Sequence, residues 1–140
     1  MYSAQLQSLG IIKKGQVINQ DAELDIIRHG LTVKHARKVM VDMALTNTEW
    51  VALIGLSARS MQRKSDVDVL TPSQSEKTLA IRRVLDLATE YFEDRNIALD
   101  WLKTPQAIFG GKAALDYLDT NTGIQYVETV LYRLMHGMTA

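Results

Sequence analysis

One stretch limits the fold more than any other. From Pro72 to about Glu93, apolar residues recur at Ile81, Val84, Leu85, Ala88 and Phe92, with Leu87 and Tyr91 widening the stripe. Spacings of three and four place them on one side of an α-helix of roughly five turns. Pro72, Ser73 and Glu76 supply its start signal, a proline followed by a Ser-x-x-Glu capping box. Arg82 and Arg83 fall outside the stripe, at helical spacing from Asp86 and Glu90. A strand would need alternation, and no part of the chain alternates apolar and polar residues for long. Two prolines and eight glycines in 140 residues leave room for further helices. The expected class is all-α, with a helix-turn-helix bundle over residues 1–70 and a second helical domain over 71–140.

The other elements follow from caps and breakers. Residues 1–19 carry Gly10 and Gly15 and predict a loose arm or short turn, in which Lys13 and Lys14 either meet a phosphate backbone or are merely solvated. A short helix over Asp21 to Arg28 stops at His29-Gly30. Thr32 caps the next, through about Ala44, with Val33, Ala36, Val39, Met40 and Met43 inward and Lys34, His35, Arg37 and Lys38 outward. Ser65 to Thr71 is a connector. Asp94 caps a helix with Ile97, Ala98, Trp101 and Leu102 inward, closed by Thr104-Pro105. Gly110-Gly111 predicts a hinge, Lys112 to Leu118 another turn or two, and Asn121, Thr122 and Gly123 a turn that caps a last helix from Ile124 to about His136.

The block TNTEWVALIGLSARSMQRK, Thr46 to Lys64, has the shape of a helix-turn-helix. Thr46 and Glu49 form a capping box, Trp50, Val51, Leu53 and Ile54 are apolar, Gly55 allows a tight turn, and Ser57 caps a second helix. With Met61 inward, Arg59, Ser60, Gln62 and Arg63 face outward, followed by Lys64. Such side chains donate to phosphates and to purine edges in a major groove; a plain helical hairpin with a solvated basic edge fits the same letters. Charge supports the first reading. Residues 1–64 carry nine Lys/Arg against five Asp/Glu, whereas 65–140 carry seven against eleven. A basic front and an acidic back fit two different partners, nucleic acid and protein.

Several chemistries are not expected. The absence of cysteine removes disulfides and thiolate metal sites and fits a cytoplasmic protein. No basic-then-apolar leader opens the sequence, and the run WVALIGL at 50–56 is far too short to span a bilayer, so no membrane partner is expected. His29, His35 and His136 make no metal pattern. Gly110-Gly111-Lys112 is followed by alanine rather than a hydroxyl, which disqualifies it as a phosphate loop. Asp116 and Asp119 need only water. No nucleophile has a base beside it, so neither a catalytic residue nor a cofactor is expected.

The C-terminal half carries a more specific pattern: ALDWLKTP at 98–105, FGGKAALDYLDT at 109–120, Gly123, and Val127 and Leu131 leading to RLMHG at 133–137. This resembles the toxin-binding domain of Xre/MbcA/ParS-type antitoxins. The preceding helix-turn-helix and the stretch from Leu70 to Ser75 resemble that family's N-terminal region, so the match runs from about Gly30 to Gly137. Ala114 stands where the family usually has proline. The resemblance implies a type II antitoxin whose partner is a RES-domain toxin that consumes NAD. The C-terminal domain would cover the toxin's active site and the helix-turn-helix would repress the operon, usually as a homodimer; NAD would be the toxin's substrate. Contacts with the toxin are then expected at Gly110, Gly111 and Lys112, at Arg133, His136 and Gly137, and at Met138 in the tail. Tyr117, Tyr126 and Tyr132 are further candidates, since tyrosine suits a half-wet interface. The alternative is a stand-alone DNA-binding regulator that uses its C-terminal half for self-association.

Overall fold

The computed structural model describes residues 1–137. Among them are eight α-helices: α1 Ser3–Ser8, α2 Gln20–His29, α3 Val33–Asp42, α4 Asn47–Ile54, α5 Ala58–Arg63, α6 Pro72–Phe92, α7 Arg95–Lys103 and α8 Asn121–Met135. Two 3-10 turns, Ala107–Phe109 and Ala114–Tyr117, lie between α7 and α8. The chain is all-α, as the helical spacing and sparse prolines require. Packing divides it into two compact units, Met1–Arg83 and Val84–Ala140. The division comes later in the chain than residue 70, because the first turns of α6 pack with the N-terminal unit.

In the first unit the core is built from Leu31, Val33, Ala36, Val39, Met43, Trp50, Ile54, Leu70, Leu79 and Ile81, all nearly or fully buried. Residues 1–19 are more ordered than a loose arm: Leu6 of α1 and Leu9 just after it are buried, and the Glu23 carboxylate accepts from the Tyr2 backbone N–H. Leu24 of α2 is 41% exposed. Caps at Asn19, Thr32, Thr46 and Ser57 each accept from a backbone N–H of the helix they begin.

The connector 65–70 is pinned rather than free. Its backbone runs beside the start of α3, with Leu70 N–H donating to Leu31 O (2.8 Å), Val33 N–H to Asp68 O (2.8 Å) and Lys34 N–H to Asp66 O (3.1 Å). Gly30 is required here, because a β-carbon on it would stand 2.4 Å from the Leu70 carbonyl oxygen. Buried Ser75 completes the junction by accepting from the Leu31 N–H at 2.8 Å.

α6 corrects two expectations. Its capping box is Thr71 with Gln74, whose side chains exchange bonds with each other's backbone N–H at 3.1 Å. Pro72 is therefore the first helical residue, where its missing N–H costs nothing, and Ser73 and Glu76 lie inside the helix. Arg82 is not on an outer face: it is 4% exposed and paired with Asp42 at the end of α3. Buried charge is tolerated where a partner neutralises it.

The second unit packs Ala88, Ala98, Leu102, Phe109, Ala114, Leu118, Ile124, Val127, Val130 and Leu131 into its core. Of the residues expected inward on α7, Ala98 and Leu102 are buried, Trp101 is half-buried, and Ile97 is 51% exposed. Asn121, Thr122 and Gly123 are not a turn. They form the first turn of α8, and Thr120 is its cap, accepting from Gly123 N–H at 3.0 Å.

Candidate functional sites

The first site is built on α4, the turn at Gly55 and α5. Thr46 and Glu49 close the capping box reciprocally at 3.2 and 2.9 Å. Gly55 takes a left-handed backbone (φ 78°) that ends α4 and lets Leu56 N–H return to Val51 O at 3.0 Å. Ser57 then accepts from Ser60 N–H at 3.0 Å and starts α5. Trp50, Val51, Leu53, Ile54 and Met61 are buried. With Met61 committed inward, the helix turns Arg59, Ser60, Gln62 and Arg63 to solvent and leaves Lys64 half-buried. Among the described residues no ion pair holds Arg59, Arg63 or Lys64, so their donors remain available. Ser60, Arg63 and Lys64 line one open concavity with Asp68 and Val69.

A second basic group, on the outer side of α3, lies beside this helix. Arg37 of α3 pairs through its guanidinium with Asp66 and reaches the Lys64 carbonyl at 3.4 Å. It lines a smaller depression with Asn47, Thr48, Ala58 and Gln62, between the start of α4 and α5. The only signal in the sequence was its place on the outer side of α3; its approach to α5 depends on the pinned connector.

The second site is the loop between α7 and α8. Gly110 and Gly111 both have positive φ (65° and 83°), which suits glycine, and nothing lies within 4 Å of a β-carbon built on either. They do not form a hinge. Gln106 N–H donates to Lys112 O, and Gly110 and Gly111 N–H donate to Ala107 O and Gln106 O, all at 3.0 Å, closing a knuckle. Two tyrosines fasten it from below: Tyr117 Oη donates to Phe109 O and Tyr126 Oη to Ile108 O, each at 3.0 Å. The buried Phe109 ring sits among Trp101, Tyr117 and Tyr126, with ring centres 5.5 to 5.8 Å away. The knuckle is thus rigid and exposed, with Gly110, Gly111 and Lys112 at its tip.

Arg133, His136 and Gly137 are exposed at the far end of α8, where the His136 ring lies parallel to Tyr132 with ring centres 6.5 Å apart. Tyr126 marks the knuckle's place on that helix, and Arg133 is seven residues further, about 10 Å along the axis. The two groups of candidate residues share one unit without forming one cluster. Met138 lies outside the described residues. Exposed Tyr91, Ile97 and Tyr126 add apolar surface to this unit. Among the described residues no group of three His, Cys, Asp or Glu is placed to hold a metal ion.

Two family models match the chain in tandem. Residues 22–83 match the antitoxin Xre-like helix-turn-helix domain, and residues 87–137 match the antitoxin Xre/MbcA/ParS C-terminal toxin-binding domain. Their junction coincides with the division in packing after Arg83. Among curated relatives, the protein called antitoxin Xre of Yersinia enterocolitica serotype O:8 / biotype 1B is 29% identical over 117 residues, covering 82% of this chain and 79% of the relative. The antitoxin Xre of Photorhabdus laumondii subsp. laumondii is 26% identical over the same length, with the same coverage of each. With both domains present in order, each on its own compact unit, the chain belongs to the Xre/MbcA/ParS-type antitoxins of toxin–antitoxin systems.

Proposed function

We propose that the chain neutralises a RES-domain toxin, which degrades NAD, by covering its active site with the C-terminal unit, and that it represses its own operon through α4 and α5 as a homodimer. The observation that carries the reading is the partition after Arg83: one unit turns Arg59, Ser60, Gln62 and Arg63 outward beside half-buried Lys64, and the other presents Gly110, Gly111 and Lys112 on a fixed knuckle. A pre-formed contact surface loses little entropy on docking, which favours tight capture. In this reading the protein is not an enzyme, needs no cofactor of its own, and acts in the cytoplasm; no helix among the described residues is long and apolar enough to cross a membrane.

Co-expression tests it. The toxin from the adjacent reading frame, induced alone, should deplete NAD and arrest growth, and co-induction of this chain should restore both. A toxin that stays lethal beside this protein would defeat the antitoxin reading. The second reading, a stand-alone DNA-binding regulator that self-associates through its C-terminal half, draws on exposed Tyr91, Ile97 and Tyr126. It predicts dimers from the C-terminal unit and operator binding with no effect of the toxin on either.

A further inference from the structure

We propose that Asp66 occupies, on Arg37, the position of a DNA phosphate, and thereby sets how tightly the helix-turn-helix holds DNA. The inference rests on the DNA-binding half of the proposed function and deepens it: Arg37 becomes an additional backbone-gripping residue, and Asp66 its internal competitor.

The geometry points this way from three sides. The Arg37 side chain lines the depression formed by Asn47 and Thr48 of α4 and Ala58 and Gln62 of α5, and Gln62 is one of the outward-turned recognition residues. One guanidinium nitrogen engages an Asp66 carboxylate oxygen and the other reaches the Lys64 carbonyl; a carboxylate is the protein group closest in charge and shape to a phosphate oxygen pair. The pair is also exposed, with side chains 37% and 57% accessible. An ion pair in water contributes little to folding, so exchanging the carboxylate for a phosphate costs little and adds the release of a condensed counterion.

Asp66 is not on a wandering loop. Three backbone hydrogen bonds, between Leu70 and Leu31, Val33 and Asp68, and Lys34 and Asp66, hold the connector against α3. The Asp66 backbone is thus held beside α3 whether or not its side chain is engaged. Asp68, whose carboxylate accepts from Ser65 N–H at 2.8 Å, puts a second negative charge at the concavity of Arg63 and Lys64. The recognition face carries its own anions beside its cations, which holds affinity below what the cations alone would give.

The test uses the full chain and a fluorescein-labelled duplex from the region upstream of its own gene, with anisotropy titrations across a KCl series. Asp66→Asn should bind roughly three- to tenfold more tightly at 0.1 M salt, and the slope of log K against log salt should steepen by about 0.9, the signature of one more phosphate contact. Adding Arg37→Ala should abolish both gains. Thermal melts of each variant verify folding, and Arg37→Lys, which keeps the charge, should retain part of the gain. If the parent chain binds and Asp66→Asn binds no better, the inference fails while the DNA-binding reading stands. A gain that persists with Arg37→Ala would also overturn it, since the effect would then be diffuse charge alone. If no variant binds the duplex at the lowest salt, the DNA-binding reading itself fails and this inference with it.

Discussion

The carbonyl oxygen of Tyr117 lies 1.9 Å from where a β-carbon on residue 123 would stand, so Gly123 admits no side chain. The clash is with backbone at the end of a 3-10 turn, which cannot swing aside as a flexible side chain would. We therefore expect Gly123→Ala to lower the stability of the C-terminal unit by about 3 kcal/mol, the upper end for overpacking. Gly110→Ala should cost about 1–2 kcal/mol, because only its left-handed backbone opposes it and the space around it is open. Chemical denaturation of the two variants checks the order; equal losses would mean that α8 slides to accommodate the methyl group.

Core volume in the same unit centres on Phe109 rather than Trp101. Phe109 is 1% exposed, whereas Trp101 is half-buried at its side. Phe109→Ala should cost about 3–5 kcal/mol and Trp101→Ala measurably less, despite removing the larger ring. Denaturant midpoints at constant m-value measure both losses. A larger loss for Trp101 would place the tryptophan at the centre of the core.

What the sequence made legible was local. Thr46, Glu49, Gly55 and Ser57 specify α4, its turn and the start of α5 within nineteen residues, from Thr46 to Lys64, and the structure places each in the role its chemistry suits. What stayed hidden depends on partners far along the chain. Arg82 reads as an outer residue of α6 until Asp42, forty residues earlier, neutralises it. Gly123 reads as a turn glycine, because nothing in the sequence shows the Tyr117 carbonyl pressed against it. The glycine pair reads as a hinge for the same reason: two adjacent glycines look mobile until Tyr117 and Tyr126 are seen bonded to the loop's carbonyls.

Two titrating groups of the N-terminal unit contribute to its response to acid. Burial, with Lys34 beside it, holds His35 below the ordinary histidine pKa, and its Nδ1 lies 3.3 Å from the Thr32 N–H as part of the cap of α3. The folded state thus binds that proton less readily than the unfolded chain. Stability is complete above about pH 6.5 and falls as the pH drops toward the lowered folded value. For Asp42, burial pushes the carboxyl up, but the hydrogen bond and charge of Arg82, with Lys38, more than offset it and leave the pKa lowered. Its contribution is present above about pH 4 and is lost on further acidification. Denaturation between pH 8 and pH 3 should show two declines, and His35→Gln should remove the upper one alone. A single decline in the parent chain would exclude His35 as a stabilising cap.

The two proposed surfaces should be separable by mutation. Arg59→Ala and Arg63→Ala are each expected to weaken operator binding, by about 1–3 kcal/mol where the side chain meets a base, and to lower its salt dependence where it meets a phosphate. Toxin neutralisation should be untouched. Lys112→Glu and Arg133→Glu should do the reverse, and removing residues 138–140 should impair neutralisation if the tail enters the toxin. Operator binding by anisotropy and rescue of growth and NAD in co-expression read the two activities independently. Variants that lose both together would contradict the division of labour between the units.

Ala114 offers a gain of stability. It is the first residue of the 3-10 turn Ala114–Tyr117, and Ala113 before it is extended (φ −85°, ψ 153°). These are the backbone states that proline and its predecessor require. The turn is already held by Asp116, whose carboxylate accepts from Ala113 N–H at 3.0 Å, so proline would remove freedom from the unfolded chain without taking a bond from the folded one. Ala114→Pro should stabilise the C-terminal unit by about 0.4–1 kcal/mol, read as a raised melting temperature. Because Ala114 is fully buried, a fall in melting temperature would show that the ring overfills the pocket beneath the turn, and that this chain has packed its core around the smaller residue.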